Sequence, residues 1–366
     1  MHAAIVLPTG FRFDLTQPNS IETVVRTLAQ HSRHRVTVLA DAGARDHGPF
    51  EVIELDTSVG RWKRTERAIG LLHDLKPDFL ELHQHAPTAR RIARAFPEVP
   101  SAWYRHNFLK APKNWFQRWR HTRRNRDFDG HIFVSEATRD AFAEAFPVFA
   151  DRAHAIPNGI DPAPWLGEVE DKQKLIAYAG RAAPEKGFAE LCSALVTVLE
   201  AHPDWSVGIC ANAWDTHGDW AEQQVSPLRR FGARFQVQVN QPIGSVRDLL
   251  KRATIAAVPS QYFEAFGLAA IEAHVAGCAV LSSGIGGLRE ASGEHALYVD
   301  PITAETVASG LTRLIEDVEF RLALARSGQA FAIAEHDAPK RAAELDDLRE
   351  RIREAKQTLP DLDRLI

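Results

Sequence analysis

Short apolar runs with the length of a β-strand alternate with helical stretches along the whole chain, and this alternation constrains the fold more than any other feature. The strand-like runs are AAIVL (3–7), VTVL (36–39), FLEL (79–82), SAWY (101–104), HIFV (131–134), LIAYA (175–179), SVGICA (206–211), RFQVQV (234–239), TIAAV (254–258), AVLS (279–282) and ALYV (296–299). Helical patterns such as IETVVRTLAQ (21–30) and GFAELCSALVTVLEAH (187–202) fall between them. This spacing predicts an α/β protein whose parallel sheets are covered by helices on both faces, and the runs suffice for two sheets.

The segment PNGIDPAPWLGEVEDKQK (157–174) has no apolar period and contains three prolines and two glycines. Such a composition is typical of a connection between domains. We therefore expect an N-terminal Rossmann-like domain over residues 1–158 and a C-terminal one over residues 172–338. The highly charged stretch PKRAAELDDLRERIREAKQ (339–357) carries a thin apolar stripe, which predicts a helix on the surface.

Charge and cysteine usage restrict the class of protein further. Residues 1–158 contain 23 Lys and Arg against 18 Asp and Glu, whereas residues 159–366 contain 21 against 30, which indicates two domains with different partners. No long apolar run suits a membrane span, and the N-terminal MHAAIVLPTG has the pattern of a buried strand instead of a signal peptide. The three cysteines are widely spaced, which argues against a disulfide framework or a zinc site and indicates a cytoplasmic protein.

The stretch PSQYFEAFGLAAIEA (259–273) places Glu264 and Glu272, with seven residues between them, around a glycine that opens a helix. Glu264 is expected in the loop after a buried strand, and Glu272 about two turns into a helix that begins near Phe266 or Gly267. Where a strand, a tight turn and a helix start meet, unpaired N–H groups attract phosphate. A phosphate site with one carboxylate beside it and one behind it suits a sugar nucleotide.

Two glycine-containing loops follow strands in the same half. In GRAAPEKG (180–187), Arg181 and Lys186 stand at the carboxyl end of a strand, where open parallel sheets bind ligands, and can clamp a diphosphate. Solvated loop charges are the alternative for these two residues alone, but the glutamate stretch favours the diphosphate site. In SSGIGGLREA (282–291) the glycines permit close backbone approach, with a flexible loop as the alternative.

With these motifs the second half resembles the donor-binding domain of family 4 glycosyltransferases, which have the GT-B fold. The matching pieces, in the family's order and spacing, are IPNGID (156–161), GRAAPEKG (180–187), PSQYFEAFGLAAIEA (259–273) and SGIGGLREA (283–291). The first half is similar more weakly, through YRHN (104–107) and FVSEATRDAF (133–142). The resemblance implies two doubly wound domains facing a cleft, with the C-terminal helix (339–366) returning to the N-terminal domain.

The resemblance also implies an activity: retaining transfer of a sugar from a nucleoside diphosphate sugar, without a metal ion or another cofactor. It places Arg181 and Lys186 on the diphosphate, where their positive charge also stabilises the departing nucleotide. Glu272 would accept hydrogen bonds from the ribose hydroxyls, and Glu264 would contact the hydroxyls of the donor sugar.

Further site residues follow from the same resemblance. His106 matches a histidine that lines the sugar site opposite the donor domain. Many family members carry a glycine pair at the start of the first helix, where this chain has Asn19 and Ser20, so Gly10 is the glycine left to approach the donor closely. The backbone N–H groups expected to support phosphate or sugar are those of Phe266, Gly267 and Leu268.

The implied acceptor, on the side of the N-terminal domain, is a saccharide or lipid-linked saccharide in the assembly of envelope polysaccharide or lipopolysaccharide. Two other classes fit the same sequence pattern. A nucleotide-sugar epimerase of the same architecture would isomerise its substrate without an acceptor, and a non-catalytic protein would bind the sugar nucleotide without turnover.

Residues 99–126 contain eight Lys and Arg but no Asp or Glu, interleaved with aromatic residues. Trp115 and Trp119 are four apart, so they share one face of a helix. A cationic helix with an aromatic edge suits an anionic membrane, which predicts peripheral docking on the inner face of the plasma membrane. The equally favoured alternative is an arginine-rich surface helix whose tryptophans pack inward. Nucleic acid binding is disfavoured because no matching motif accompanies the segment and the chain is acidic overall.

Two short patterns are superficially similar to metal sites. His83 and His85 in LHQH have no third ligand at a sensible spacing, so structural or cleft-lining roles are favoured for them. Asp127 and Asp129 form a D-x-D pattern outside any matching context. Neither pattern predicts a metal site.

Overall fold

The structure is a computed structural model that describes residues 1–14, 19–43, 48–109 and 111–358. It divides into two compact units: the first comprises Met1–Gly159 with Ala338–Ile366, and the second comprises Ile160–Asp337. Lys110 of the basic segment and residues 359–366 of the expected C-terminal helix lie outside the described residues. In the described part, no helix combines the length and apolar character needed to cross a membrane.

The first unit is built on a seven-stranded parallel sheet with the order β3-β2-β1-β4-β5-β6-β7. The central strands are buried along their whole length because helices cover both faces of the sheet. The strands are β1 (His2–Val6), β2 (Arg35–Asp41), β3 (Glu51–Leu55), β4 (Phe79–His83), β5 (Ser101–Arg105), β6 (Gly130–Phe133) and β7 (Ala153–Ala155).

The second unit is built on a six-stranded parallel sheet with the order β10-β9-β8-β11-β12-β13. Its core is a single large cluster in which Phe188, Leu195 and Trp205 pack with the apolar residues of the strands. The strands are β8 (Gln173–Arg181), β9 (Ser206–Asn212), β10 (Phe235–Val239), β11 (Ala253–Val258), β12 (Ala279–Ser282) and β13 (Leu297–Tyr298).

Helices connect the strands throughout both units, and short 3-10 helices occur at Pro147–Arg152, Pro184–Lys186 and Ser226–Arg234. The α-helices are α1 (Ser20–Ala29), α2 (Arg61–Leu75), α3 (Ala86–Ala95), α4 (Trp115–Asn125), α5 (Glu136–Ala145), α6 (Phe188–Ala201), α7 (Trp214–Val225), α8 (Ile243–Arg252), α9 (Leu268–Val275), α10 (Leu288–Ser292), α11 (Ala304–Glu316), α12 (Val318–Glu335) and α13 (Ala338–Thr358).

Both sheets reverse their strand order once, and this reversal locates the ligand-binding edge of each unit. In the first sheet the chain adds strands outward from β1 and then continues on the other side with β4, so the reversal lies between these two strands. In the second sheet it lies between β8 and β11. In open α/β sheets, ligands bind outside the carboxyl ends of the strands at such a point.

All eleven strand-like runs of the sequence are strands in the structure, and the prediction of doubly wound α/β architecture is confirmed. Two further strands, β3 and β7, extend the first sheet at its two edges. Helix α13 is a surface helix as expected, but the face that it buries contains charged residues as well as the apolar stripe. That face buries Asp346 and Arg349 together with Leu345, Leu348 and Ile352.

Candidate functional site

In the second unit, the loops that follow β8 and β11 are held against each other by their backbones. The carbonyl oxygen of Glu185 accepts hydrogen bonds from the N–H groups of Gln261 and Tyr262, at 3.0 and 3.2 Å. Gly187, at φ 65°, makes this approach possible, since a Cβ at that position would lie 1.9 Å from the carbonyl oxygen of Pro259. The sequence GRAAPEKG therefore folds as a turn pressed onto the neighbouring loop.

Because the two loops are in contact, the side chain of Lys186 reaches that of Glu264. The Lys186 Nζ donates a hydrogen bond to Glu264 Oε1, and the hydroxyl of Ser260 donates to the same oxygen. Both side chains are half-buried, with 26% and 17% of the lysine and glutamate side chains exposed. Two residues predicted as separate site members, 78 positions apart in the chain, thus form one ion pair at the reversal of the second sheet.

Arg181, at the end of β8, has a partner of its own. Its Nη2 donates to Glu185 Oε1 at 2.7 Å, and both side chains are more exposed than the lysine pair. Tyr178 stabilises the backbone at the start of this turn, because its buried hydroxyl donates to the carbonyl oxygen of Arg181 at 2.6 Å. The two cations of the expected diphosphate clamp are thus both present at this edge, and each is neutralised by a carboxylate.

Helix α9 begins directly after this loop. Gly267 is the N-cap residue, and no hydrogen bond to another described residue engages the backbone N–H groups of Phe266, Gly267 or Leu268. The Phe266 side chain is buried and packs edge-on against His336, which fixes the backbone at the helix start. Unpaired N–H groups at a helix start form an anion-binding site.

Glu272 is the fifth residue of α9, a little over one turn into the helix instead of the expected two. Its carboxyl group forms no hydrogen bond or ion pair with another described residue. Burial raises the pKa of Glu272 to about 7, and the positive charge of Arg247 opposes this shift. A carboxyl group without a protein partner is free to take hydrogen bonds from a ligand.

The glycine loop after β12 is a close-packed element. Gly286 pairs with Glu264 as a parallel bridge, and the N–H of Gly287 donates to the Glu264 carbonyl oxygen at 2.9 Å. A Cβ on Gly286 would lie 2.5 Å from that oxygen. The alternative of a flexible loop is therefore wrong for these two glycines, which hold the backbone of Glu264 in place.

In the first unit, a buried chain of hydrogen bonds lies at the carboxyl ends of β4 and β5. The Nε2 of His106 lies 2.8 Å from the Nδ1 of His83, and the Nε2 of His83 lies 2.9 Å from Oε1 of Glu81. The ring of His106 stacks on Tyr104 with a centroid distance of 4.7 Å. Burial, followed by the neighbouring His83, lowers the pKa of His106 well below its ordinary value, so this histidine is neutral at pH 7.

Helix α13 completes this chain from the other end. Arg349 donates to Oε2 of Glu81 from Nε at 3.0 Å and from Nη2 at 2.7 Å, and its Nη1 donates to Asp346 at 2.8 Å. Asp346 also accepts from the hydroxyl of Ser32 and from the N–H of Arg33. Burial alone would raise the pKa of Glu81, but Arg349 and His83 lower it to about 2.

The backbone next to His83 is strained. Gln84 has a φ of 57°, in the left-handed region that residues other than glycine rarely adopt. In this position its side-chain Oε1 accepts from the N–H of His106 at 3.0 Å, and its carbonyl oxygen accepts from the indole of Trp103. Such strain is retained where the surroundings over-determine it, which is common at ligand sites.

Gly10 lies in the loop after β1, at φ 97°, with open space where a Cβ would be. Its N–H donates to Asp41 Oδ2 at 2.6 Å, so this amide is engaged inside the protein. Asp41 is held by the buried Arg64, which also donates to the carbonyl oxygen of Leu7. Asn19, in place of the family's glycine, caps α1 by accepting from the N–H groups of Ile21 and Glu22.

Sequence reasoning missed several residues of these two clusters. Ser260 and Glu185 have partners only four residues away, Glu264 and Arg181, but a serine and a glutamate in a loop give no distinctive signal in the sequence. For His83 the sequence favours a structural or cleft-lining role but does not indicate its partners, and the charged sequence of α13 does not indicate that Arg349 is buried. The carboxylates of the D-x-D pattern are engaged in ion pairs, Asp127 with Arg90 and Arg94 and Asp129 with Lys356.

The family description "Glycosyltransferase Family 4" matches residues 18–164, and "Glycosyl transferases group 1" matches residues 165–331. The chain belongs to glycosyltransferase family 4. It is 33% identical over 194 residues to an alpha-maltose-1-phosphate synthase of Mycolicibacterium smegmatis, an alignment that covers 47% of this chain and 48% of that protein. It is 31% identical over 222 residues to a phosphatidyl-myo-inositol mannosyltransferase of Mycobacterium tuberculosis, which covers 57% and 56%.

These alignments span about half the length of the curated family members. Among solved structures, the Anabaena protein HepE in complex with UDP and glucose has a TM-score of 0.78 at 18% identity, covering 96% of this chain and all of that one. This likeness concerns the fold, and the predicted GT-B fold of a family 4 member is confirmed.

Proposed function

We propose that this family 4 protein transfers a sugar from a nucleoside diphosphate sugar to a saccharide or lipid-linked acceptor, with retention of the anomeric configuration. The observation that carries the proposal is the start of α9, where three unpaired N–H groups follow the half-buried Lys186–Glu264 pair. N–H groups and cations aimed at one place stabilise the negative charge that develops on a departing diphosphate. HepE, with the same fold, binds UDP and glucose, which supports a nucleotide-sugar donor.

The roles follow from the chemistry of each group. Lys186 and Arg181 would exchange their carboxylate partners for diphosphate oxygens, and the α9 N–H groups would bind a phosphate oxygen. Glu264, released from the lysine, would then accept hydrogen bonds from the donor sugar. Glu272 would accept hydrogen bonds from the ribose, because its carboxyl group has no protein partner to give up.

The test is incubation with a panel of UDP-, GDP-, ADP- and CDP-sugars, with and without a membrane extract as the source of acceptor. We expect release of nucleoside diphosphate that depends on the extract, and a product whose anomeric proton shows the configuration of the donor. Isomerised donor without extract would indicate an epimerase instead, and binding without turnover would indicate a non-catalytic protein. Thermal-shift screening identifies the nucleoside first, since a ligand at 100 times its Kd stabilises by about 2.7 kcal/mol.

We further propose that the acceptor is a lipid-linked saccharide of the cell envelope, used in polysaccharide or lipopolysaccharide assembly at the inner face of the plasma membrane. Helix α4 supports this. Trp115, Phe116 and Trp119 are 78%, 50% and 52% exposed and form one row of rings, with centroids 5.9 Å apart at each step. The alternative, in which the tryptophans pack inward, is wrong. A relative of this chain, named a phosphatidyl-myo-inositol mannosyltransferase, also points to a lipid acceptor.

The charges of α4 fit an anionic surface in the same way. No salt bridge joins the arginines of this helix to a carboxylate in the described part of the chain, and Arg118 and Arg123 instead meet a carbonyl oxygen and the Trp119 ring. Each cation near an anionic leaflet contributes about 1 kcal/mol. An aromatic row flanked by unpaired arginines is the composition of a helix that lies in the membrane interface.

Flotation with vesicles of anionic and of neutral lipid tests this docking. A variant with Trp115, Trp119, Arg118 and Arg120 all changed to Ala should bind anionic vesicles at least about 30-fold more weakly, from the two charges alone. The control changes Arg61, Trp62 and Lys63 to Ala, which removes exposed residues of the same types from another surface of the unit. Equal flotation of the α4 variant and the wild type would remove the membrane from the proposal.

A further inference from the structure

The buried carboxylate of Glu81 determines where the hydrogen sits on His83. Glu81 lies between two donors: Arg349 binds its Oε2 through two N–H groups, and the Nε2 of His83 lies 2.9 Å from its Oε1. Arg349 keeps Glu81 ionised, and an ionised carboxylate only accepts hydrogen bonds. The hydrogen between Glu81 and His83 therefore belongs to Nε2 of His83.

The second nitrogen of His83 then determines the state of His106. A neutral imidazole with its hydrogen on Nε2 has a lone pair on Nδ1. This Nδ1 lies 2.8 Å from Nε2 of His106, so His106 must donate from Nε2. Because a neutral imidazole carries one N–H, the Nδ1 of His106 is left as a bare acceptor. Among the described residues, this Nδ1 has no hydrogen-bond partner.

The cluster does not favour a charged His83. A positively charged His83 and the guanidinium of Arg349 would share the single carboxylate of Glu81, and all three side chains are at most 2% exposed. The other carboxylate, Asp346, already has donors in Ser32 and Arg33 as well as Arg349. An imidazolium in this dry environment would lose its hydration without gaining a partner of its own.

We propose that His83 and Glu81 are positioning residues that hold His106 as the tautomer with a hydrogen on Nε2, so that its Nδ1 accepts a hydrogen bond from a substrate hydroxyl. The tautomer stands on the contacts within the first unit alone, whereas the hydroxyl ligand rests on the proposed sugar transfer. A bare nitrogen repels the oxygens of a phosphate or carboxylate. His106 would thus bind a hydroxyl group of the substrate, whereas the diphosphate would bind to residues of the second unit.

The tautomer can be read directly from the long-range ¹H–¹⁵N spectrum of histidine-labelled protein. We expect Nε2 of His106 to be protonated and Nδ1 unprotonated at pH 7, with the same pattern for His83. The His106→Gln variant assigns the His106 signals by their loss, and His73→Gln, which removes an exposed histidine of α2, is the control for assignment. A protonated Nδ1 on His106 in the wild type would overturn the proposal without reference to any substrate.

The variant Glu81→Gln gives the sharpest result. Arg349 only donates, so it takes the amide oxygen, and the amide NH₂ faces Nε2 of His83. His83 must then accept there and donate from Nδ1, which forces the hydrogen of His106 onto Nδ1. We expect the ¹⁵N pattern of both histidines to invert while the amide spectrum of the sheet persists. An unchanged pattern would show that Glu81 does not set the tautomer.

Transfer assays, with the donor that the panel of nucleotide sugars selects, connect the tautomer to function. In His83→Asn the amide oxygen still accepts from Nε2 of His106, whereas His83→Leu leaves that N–H without an acceptor. We expect His83→Asn to keep kcat/KM within about threefold and His83→Leu to lower it about tenfold, mainly in KM, as one hydrogen bond is lost. Equal losses of kcat/KM in the two variants would show that His83 contributes only packing. A wild type that transfers nothing would end the proposed function and leave the tautomer result standing.

Discussion

Both units contain charged pairs close to the carboxyl ends of strands at the reversal of their sheets, but the exposure of these pairs differs. At the edge of the second sheet, the Lys186–Glu264 and Arg181–Glu185 pairs are between 17% and 47% exposed. At the edge of the first sheet, the Glu81–Arg349 pair is at most 2% exposed. The first kind of pair is in contact with water, and the second is sealed inside the unit by α13.

This difference in exposure suits the ion pairs of the two units to different roles, ligand binding in the second and positioning of a side chain in the first. Partly exposed ion pairs contribute at most about 1 kcal/mol, so an incoming diphosphate can replace the carboxylate partners at low cost. A buried pair has given up its hydration, and removal of one partner leaves an uncompensated charge. The charges of the second unit are therefore suited to exchange partners with a ligand, and those of the first are suited to hold one geometry.

The largest expected effect is on the stability of the first unit. Arg349→Met should lower its free energy of unfolding by about 3–5 kcal/mol, because Glu81 and Asp346 lose their common cation. Arg351→Met, an exposed position two residues away on the same helix, should change it by less than about 0.5 kcal/mol. Hydrogen exchange at the amides of β4 and β5 under mild urea measures both. Similar protection from hydrogen exchange in the two variants would mean that the buried Glu81–Arg349 pair contributes no more than an exposed residue does. The proposed difference between the two units would then be wrong.

The second prediction concerns transfer. Lys186→Ala should lower the rate about 100- to 1,000-fold, as for a lost group that stabilises transition-state charge, with little change in stability. Lys174→Ala is the matched control: this lysine lies at the amino end of β8, the strand that precedes the Lys186 turn, and forms an exposed pair with Asp204. Glu264→Ala should resemble Lys186→Ala. Near-normal turnover of both variants would remove the diphosphate assignment.

Sequence periodicity was sufficient for most of the fold, for a definite reason. Strands buried on both faces appear as short apolar runs, so the interior strands of both sheets were found, and the edge strands β10 and β13 have apolar runs as well. Strand β3 is an edge strand in which one residue, Leu55, is buried, and β7 has only three residues, so neither has an apolar run of that kind. The start of α9 was predicted well because Gly267 directly precedes it, although Glu272 lies closer to that start than expected.

The sequence predicted some residues of the candidate site but not the contacts between them. Motif resemblance indicated Arg181, Lys186, Glu264 and Glu272, whose chemistry shows in short segments. It gave no indication that Lys186 and Glu264 are partners, because Gly187 and the Glu185 carbonyl create that contact between loops. The partnership of Glu81 with Arg349 spans 268 residues and depends on α13 packing in the first unit. Such long-range pairs leave no local periodic signal.

The smallest expected effect concerns Glu272, whose carboxyl group has no hydrogen-bond or ion-pair partner among the described residues. Burial raises the pKa of Glu272 from 4.5 to about 7 against the opposing charge of Arg247. Between these two values the carboxyl group is protonated in the folded protein and ionised in the unfolded chain. Stability should therefore fall as pH rises through this window, and Glu272→Gln should be the more stable protein above pH 7 and equal to the wild type near pH 4.

Ligand binding should show the opposite dependence on pH. Ribose hydroxyls donate to an ionised carboxylate, so the affinity of the wild type for the free nucleoside should rise about fivefold from pH 6 to pH 8, if binding lowers the pKa by about one unit. The nucleoside is used because a diphosphate titrates in the same range. Glu272→Gln should bind more weakly at pH 8 and show a flat profile. A rise that persists in the variant would assign the titration to another group and would leave Glu272 with a purely structural role in α9.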